Sequence, residues 1–231
     1  MRRDVWITGI GLVSSLGEGA DAHWQALTSA NPQPVIDRAA TPPYLIHPLV
    51  KLNLDKQIPR RADQRQMEAW QRLGTYAAGL ALSDAGVARN AEILGRTHAV
   101  IAADGGERDI AADSAILEVL RTAENGEILL NQRLGADLRP TLFLAQLPNL
   151  VAGNISIVHN VTGSSRTFMG EELAGVSAVE VAWKRIAAKQ GDIFLVGGAS
   201  LADRKDITLA YSLGGVLWTG DYLPVWQRMR K

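Results

Sequence analysis

Residues 155–199 read ISIVHNVTGSSRTFMGEELAGVSAVEVAWKRIAAKQGDIFLVGGA. Short apolar and β-branched runs at 155–159 and 192–196 predict two strands, the second closed by Gly197 and Gly198 as a buried strand ends. Between them, residues 171–189 are almost wholly apolar from Leu173 to Trp183 and basic at the end (Lys184, Arg185, Lys189), where a helix dipole favours cations. A helix apolar on all sides is expected to be buried. Strand, helix, strand is the unit from which a layered α/β domain is built.

The same alternation extends outward. Residues 97–102 read as a further strand. So do residues 4–10 (Val5, Trp6, Ile7, Thr8), which stop at Gly9 and Gly11. Helices are predicted at 21–29, with Asp21 as N-cap, at 107–124 and at 144–152. The strongest helical pattern spans 63–85, where Met67, Trp70, Leu73, Ala77, Leu80 and Ala81 recur at three- and four-residue spacing and Gly86 takes the C-cap position. Residues 31–61 hold most of the nine prolines and predict a long irregular excursion with at most short helical turns. Residues 125–140 read as a polar loop. The expected fold class is α/β, a mixed or parallel sheet covered by helices.

Composition narrows the function. Twenty-four basic and 24 acidic side chains cancel, so no electrostatic footprint for nucleic acid or an anionic membrane is present. The chain carries no cysteine, which excludes disulfides, thiolate-ligated metals and a cysteine nucleophile. The first residues, Met1-Arg2-Arg3, resemble a secretory leader only superficially, since Asp4 interrupts the basic part and Gly9, Gly11, Ser14 and Ser15 dilute the apolar part. With no run long enough to span a bilayer, a cytoplasmic protein without membrane association is expected.

Familiar site motifs are absent or incomplete. Gly9-Ile10-Gly11 follows a predicted strand, but Ser14 stands where a third glycine belongs and no helix opens there, so the pair reads as turn glycines rather than a dinucleotide site. The four histidines show no ligand spacing, and no metal or cofactor is expected. No Gly-x-Ser-x-Gly nucleophile turn exists. What stands out is Glu171-Glu172 at the head of the apolar helix. The unpaired N–H groups and positive dipole there stabilise a nucleophile or anion, although ordinary first-turn acids look the same.

Four stretches together resemble the N-terminal half of the β-ketoacyl-ACP synthase family. They are Val5-Trp6-Ile7-Thr8-Gly9-Ile10-Gly11-Leu12-Val13-Ser14, Leu82-Ser83-Asp84-Ala85-Gly86-Val87, Pro148-Asn149-Leu150-Val151-Ala152-Gly153-Asn154-Ile155-Ser156, and Gly191-Asp192-Ile193-Phe194-Leu195-Val196-Gly197-Gly198-Ala199. The resemblance implies a thiolase-like layered fold of which only the N-terminal half is present, with residues 1–200 as the synthase-like domain. Residues 201–231 would be a divergent tail, the start of a truncated second half.

In that family the nucleophile is a cysteine ahead of two small residues and a glycine. With Gly163 and Gly175 on the flanking glycines, Glu172 occupies the cysteine position, and Leu173 and Ala174 the small ones. A carboxylate is a poor thioester-exchange nucleophile, so condensation at Glu172 is not expected. The family's two histidines and lysine belong to its other half. The resemblance therefore implies a non-condensing, chain-length-factor-like subunit, a homo- or heterodimer with a synthase paralogue that also meets an acyl carrier protein. Leu142, Phe143, Gln146 and Asn149 would border an acyl tunnel across the dimer, with simple core packing the alternative for the same four. Two other functional outcomes are a malonyl-ACP decarboxylase, for which Glu172 must be held neutral against the helix dipole, and a divergent 3-oxoacyl-ACP synthase.

Overall fold

The computed structural model describes residues 3–170 and 173–228. After an extended segment come two short paired strands, β1 (Val13–Ser14) and β2 (Gly17–Glu18), then α1 (Ala20–Thr28) and the hairpin β3 (Asp37–Thr41) and β4 (Tyr44–Ile46). Next are α2 (Arg61–Gln66), α3 (Ala69–Asp84), α4 (Ala91–Arg96) and β5 (His98–Ala103). Four helices follow: α5 (Ile110–Leu120), α6 (Gly126–Asp137), α7 (Leu142–Ala145) and α8 (Leu150–His159). The chain then runs through β6 (Ser165–Met169), α9 (Ala174–Ala187), β7 (Phe194–Ala199) and α10 (Lys205–Leu213).

The organising unit is a three-stranded parallel sheet in the order β6-β5-β7, with Ala99 opposite both Ser165 and Leu195. Parallel strands need cover on both faces, and alternate residues of β5 divide between two cores as the two-residue period requires. Ala99, Ile101 and Ala103 pack with Leu195 against Trp70, Ala78 and Leu82 of α3 and Val151, Ala152 and Ile155 of α8. Val100 points the other way and meets Ala178 and Ala182 of α9, joined by Phe168, Phe194 and Val196. A third cluster, Ile58, Met67 and Tyr76, seals the outer side of α3 beneath the irregular excursion.

Several predicted elements change identity. Residues 155–159 are the end of helix α8 rather than a strand, because Val151, Ala152 and Ile155 fall on one buried helical face. A short apolar run serves either structure, and here the helical period reaches back to Leu150. Asn160, at φ 57°, stops the helix, and the third strand is instead the polar stretch Ser165–Met169. The loop expected at 125–140 is helix α6, closed by the i,i+4 pair Arg133–Asp137. The single helix expected from 63 to 85 is two: Glu68 breaks it by capping α3 in a reciprocal box with Gln71. Gly86 does end α3 at φ 71°. Gly19, not Asp21, precedes the first turn of α1, and part of the proline-rich excursion forms the β3–β4 hairpin. Helix α9 is not buried all round: Ala174, Ala178 and Ala182 face inward while Val176, Val179 and Trp183 are exposed. The divergent tail expected at 201–231 contains, among its described residues, helix α10.

The strand expected at 4–10 pairs with no other strand among the described residues. It runs extended beside α3: Ile10 donates its backbone N–H to Asp84 Oδ2 at 2.8 Å, and Trp6 and Ile7 stand more than three-quarters exposed. Two glycines permit the approach, because a Cβ at Gly9 would lie 2.7 Å from Ala85 Cβ and one at Gly11 would collide with the Ala77 carbonyl. Gly11→Ala is therefore expected to cost about 1–3 kcal/mol, as overpacking does. Thermal denaturation should show a midpoint lower by about 5 °C, and an unchanged midpoint would mean the segment is free to lift away.

Candidate functional site

The carboxyl ends of all three parallel strands open on one cavity of about 610 Å³. In an open parallel sheet ligands bind outside these ends, where the chain leaves a central strand in opposite directions. β5 supplies Ala102 and Ala103 and is followed by Asp104; Gly170 follows β6; β7 supplies Gly198 and Ala199. Gly175 contributes from the first turn of α9, and Thr208 and Tyr211 close the far side from α10. Gly170 sits at φ 129°, a conformation other residues rarely adopt, so the turn between β6 and α9 depends on it.

Glu171 and Glu172, the residues singled out at the head of this helix, lie outside the described residues. Gly170, the last described residue before them, and Gly175, in the first turn of α9, both line the cavity. Of the four residues expected to border a tunnel, Leu142 is 8% exposed in α7, whereas Phe143 is 61% exposed and Gln146 and Asn149 are also exposed. None of the four lines the strand-end cavity. Gln146 is nonetheless tied to it indirectly, since a Cβ on Gly106, two residues beyond Asp104, would collide with the Gln146 backbone.

A charged cluster that sequence reading missed braces one wall. Arg204, 5% exposed, donates to the carbonyls of Gly105 at 2.8 Å and Gly106 at 2.7 Å, and to both carboxylate oxygens of Asp206 at 3.2 and 2.6 Å. It thereby locks the turn after β5 to the start of α10. Burial alone would lower the Arg204 pKa, but the hydrogen bond and charge of Asp206 outweigh it and the pKa is raised. Asp206 is correspondingly held below the usual carboxylate range: burial pushes it up, and the bond to Arg204 more than reverses that. One oxygen each of Asp104 and Glu107 is buried without a hydrogen-bond partner among the described residues. The signal in the sequence was an acid placed directly between the apolar run 98–103 and Gly105-Gly106, where a buried strand ends.

Two histidines tie local structure together. His159 Nε2 donates to the Thr75 carbonyl, 2.8 Å away, and burial lowers its pKa. His23 bridges Ser14 Oγ and the Gly19 carbonyl at 2.7 Å each. Among the described residues no group of three or more histidine, cysteine or acidic side chains is placed to hold a metal ion, and no helix is long and apolar enough to cross a membrane.

Comparison with known proteins follows this geometry closely. Residues 2–221 match the family model described as beta-ketoacyl synthase, N-terminal domain. A curated relative, the 3-oxoacyl-[acyl-carrier-protein] synthase 2 of Vibrio cholerae serotype O1, is 26% identical over 204 residues, which cover 87% of this chain and 46% of that protein. The chain thus spans about half the length of the curated relative it matches. Among solved structures, a beta-ketoacyl synthase from Burkholderia phymatum STM815 superposes with a TM-score of 0.73 at 23% identity, over 95% of this chain and 52% of the other. The ishigamide ketosynthase/chain length factor gives 0.67 at 22% identity, over 93% and 51%. A type II polyketide ketosynthase, solved in complex with its acyl-carrier protein, gives 0.67 at 17% over 91% and 55%. The thiolase-like layered fold implied by the four sequence stretches is the fold found.

The cluster makes one consequence measurable. Burial, followed by the nearby charge of Glu68, raises the Glu107 pKa above that of an ordinary glutamate. A carboxyl with a raised folded-state pKa costs stability as pH climbs from the unfolded value, near 4.5, through the folded one. Glu107→Gln should therefore melt on the order of 2 °C higher than wild type at pH 7.5, with the gap closing at pH 4. Paired melting curves at the two values check it, and a variant less stable at pH 7.5 would contradict it.

Proposed function

The chain belongs to the β-ketoacyl synthase family through its N-terminal domain, and from that premise we propose that it serves fatty-acid or polyketide synthesis as a non-condensing, chain-length-factor-like subunit beside an active synthase. One observation carries the reading: residues 2–221 match the family's N-terminal domain, yet the 231 residues contain no cysteine. Condensation needs a thiolate that accepts an acyl group by thioester exchange and releases it again. Glu172, the residue aligned with the family's cysteine, carries a carboxylate in place of that thiolate, a poor nucleophile for thioester exchange. The thiol then comes from a partner, and this chain contributes shape.

Two surfaces support a partnered state. Val176, Val179 and Trp183 form an exposed apolar stripe along α9, and Phe143 and Leu147 stand exposed ahead of α8. Apolar patches of this kind mark association surfaces. The chain-length-factor reading receives further support from the likeness to a ketosynthase/chain length factor structure, and the same role makes an acyl carrier protein the natural donor to the complex. Phe143 is the residue best placed to set a length limit, being large, rigid and unburied within its own chain. In this reading residues 1–200 are the synthase-like domain and residues 201–231 a divergent tail, the start of a second half, from which Leu201, Ile207, Thr208, Tyr211 and Leu217 line the strand-end cavity.

Three measurements bear on this. Purified chain with radiolabelled malonyl-ACP should release no carbon dioxide above background; release abolished by Glu172→Ala would replace the reading with decarboxylation. Co-expressed with a cognate synthase, the chain should co-elute as a stable complex on size exclusion, and a homodimer indifferent to that protein would count against it. In the active pair, Phe143→Ala should shift the product distribution by at least one extension unit toward longer chains, read by mass spectrometry, with initial rates within about threefold.

A further inference from the structure

Away from the strand-end cavity, a serine and a histidine stand as a nucleophile stands to its base. Ser14 ends β1 and His23 lies in the first turn of α1. The His23 ring is bonded at both nitrogens: Nδ1 lies 2.7 Å from the Gly19 carbonyl and Nε2 2.7 Å from Ser14 Oγ. A carbonyl oxygen only accepts, so in the neutral ring Nδ1 carries the proton and Nε2 offers its lone pair to the Ser14 hydroxyl. The Leu16 N–H holds the same hydroxyl oxygen at 3.0 Å. Nucleophile, base and a third group that orients the base therefore stand in series, which is how serines are activated on unrelated folds. Here a main-chain carbonyl takes the orienting role of the carboxylate.

The surroundings suit acyl transfer. His23 is 9% exposed, whereas Ser14 is half-buried. The N–H of Ser15, next after the serine, makes no hydrogen bond among the described residues, and the N–H in that position is one of the oxyanion donors in hydrolases built on a serine turn. Leu27, one helical turn beyond His23 on the same face, and Leu12 are both exposed and give the site an apolar flank. The geometry points to a serine acyl-transfer site, with Ser14 as nucleophile and His23 as general base, that acts on esters of short apolar acyl groups. Ser14 Oγ bonds to the acyl carbon as its proton passes to His23 Nε2, and the ester C–O bond breaks with that proton leaving on the alcohol. Water then repeats the sequence on the acyl-serine, giving the free acid and restoring the hydroxyl. Neither residue lines the strand-end cavity, so this activity goes beyond the partner role and does not rest on it.

The test labels the full chain with a fluorophosphonate, which loses fluoride to an activated serine, and maps the modified peptides by mass spectrometry. Ser14 should react about a hundredfold faster than any other serine of the same chain, the size of a general-base contribution, and lose that advantage when the chain is unfolded in urea. His23→Gln should slow the labelling of Ser14 by about tenfold or more. The folded wild type should also hydrolyse p-nitrophenyl butyrate, and Ser14→Ala should not. Because the folded and unfolded wild type are compared directly, a misfolded His23→Gln protein leaves the test intact. An unlabelled Ser14, labelling no faster than at other serines, or a His23→Gln protein with native circular dichroism that reacts as fast as wild type would each overturn the inference; the two imidazole bonds would then only fasten β1 to α1. That failure is distinct from failure of the partner role, which is read by co-elution and product length.

Discussion

Everything in this molecule hangs on β5, a six-residue strand that bonds to a parallel neighbour along both edges. A strand placed in that way offers both faces as well as both edges, and a parallel sheet is stable only when both faces are covered. The cover is unequal. One face is sealed by large side chains of α3 and α8, with Trp70 fully buried between helix and sheet. The other is met by two alanines of α9, which lets that helix lie close against the sheet and brings its first turn beside the strand ends. The same close packing that buries Val100 therefore fixes where the candidate site opens.

Around that opening, structure and electrostatics are coupled. Arg204 crosses from α10 to the turn after β5, so residues far apart in sequence close one wall together. Its bonds to two backbone carbonyls use neutral acceptors, which leaves its charge to Asp206 and only at longer range to Asp104 and Glu107. Buried ion pairs hold geometry more reliably than they add stability. Here the geometry held is the relation between the cavity floor, made by strand ends, and its lid, made by a helix. On the opposite side Glu68 caps α3 and also pairs with Arg139 ahead of α7, so the helix that covers the sheet is tied to the segment bearing Leu142 and Phe143.

The class of fold was legible in the sequence because periodicity and glycine placement report burial directly. β5 and α3 beyond Glu68 follow from local pattern alone, whereas β7 runs on through Gly197 and Gly198 to Ala199 instead of ending before them. The misread elements share a cause. Residues 155–159 are apolar and short, and only the packing of Val151 and Ile155 on one face decides between helix and strand. Ser165–Met169 is polar and half exposed because it lies at a sheet edge, so it lacks the hydrophobic signature of a strand. Residues 4–10 have that signature and no strand to pair with among the described residues. Of the site, the position expected for Glu172 rested on the spacing between Gly163 and Gly175 and lies outside the described residues. The Arg204–Asp206–Asp104 arrangement was not, because it joins residues a hundred positions apart through contacts that leave no local pattern.

The apolar stripe on α9 has a meaning for the life of the polypeptide as well as for its shape. Val176, Val179 and Trp183 present the kind of surface that chaperones hold and proteases clear when it stays open. A copy of this chain whose α9 face stays open is expected to turn over faster than one whose face is covered.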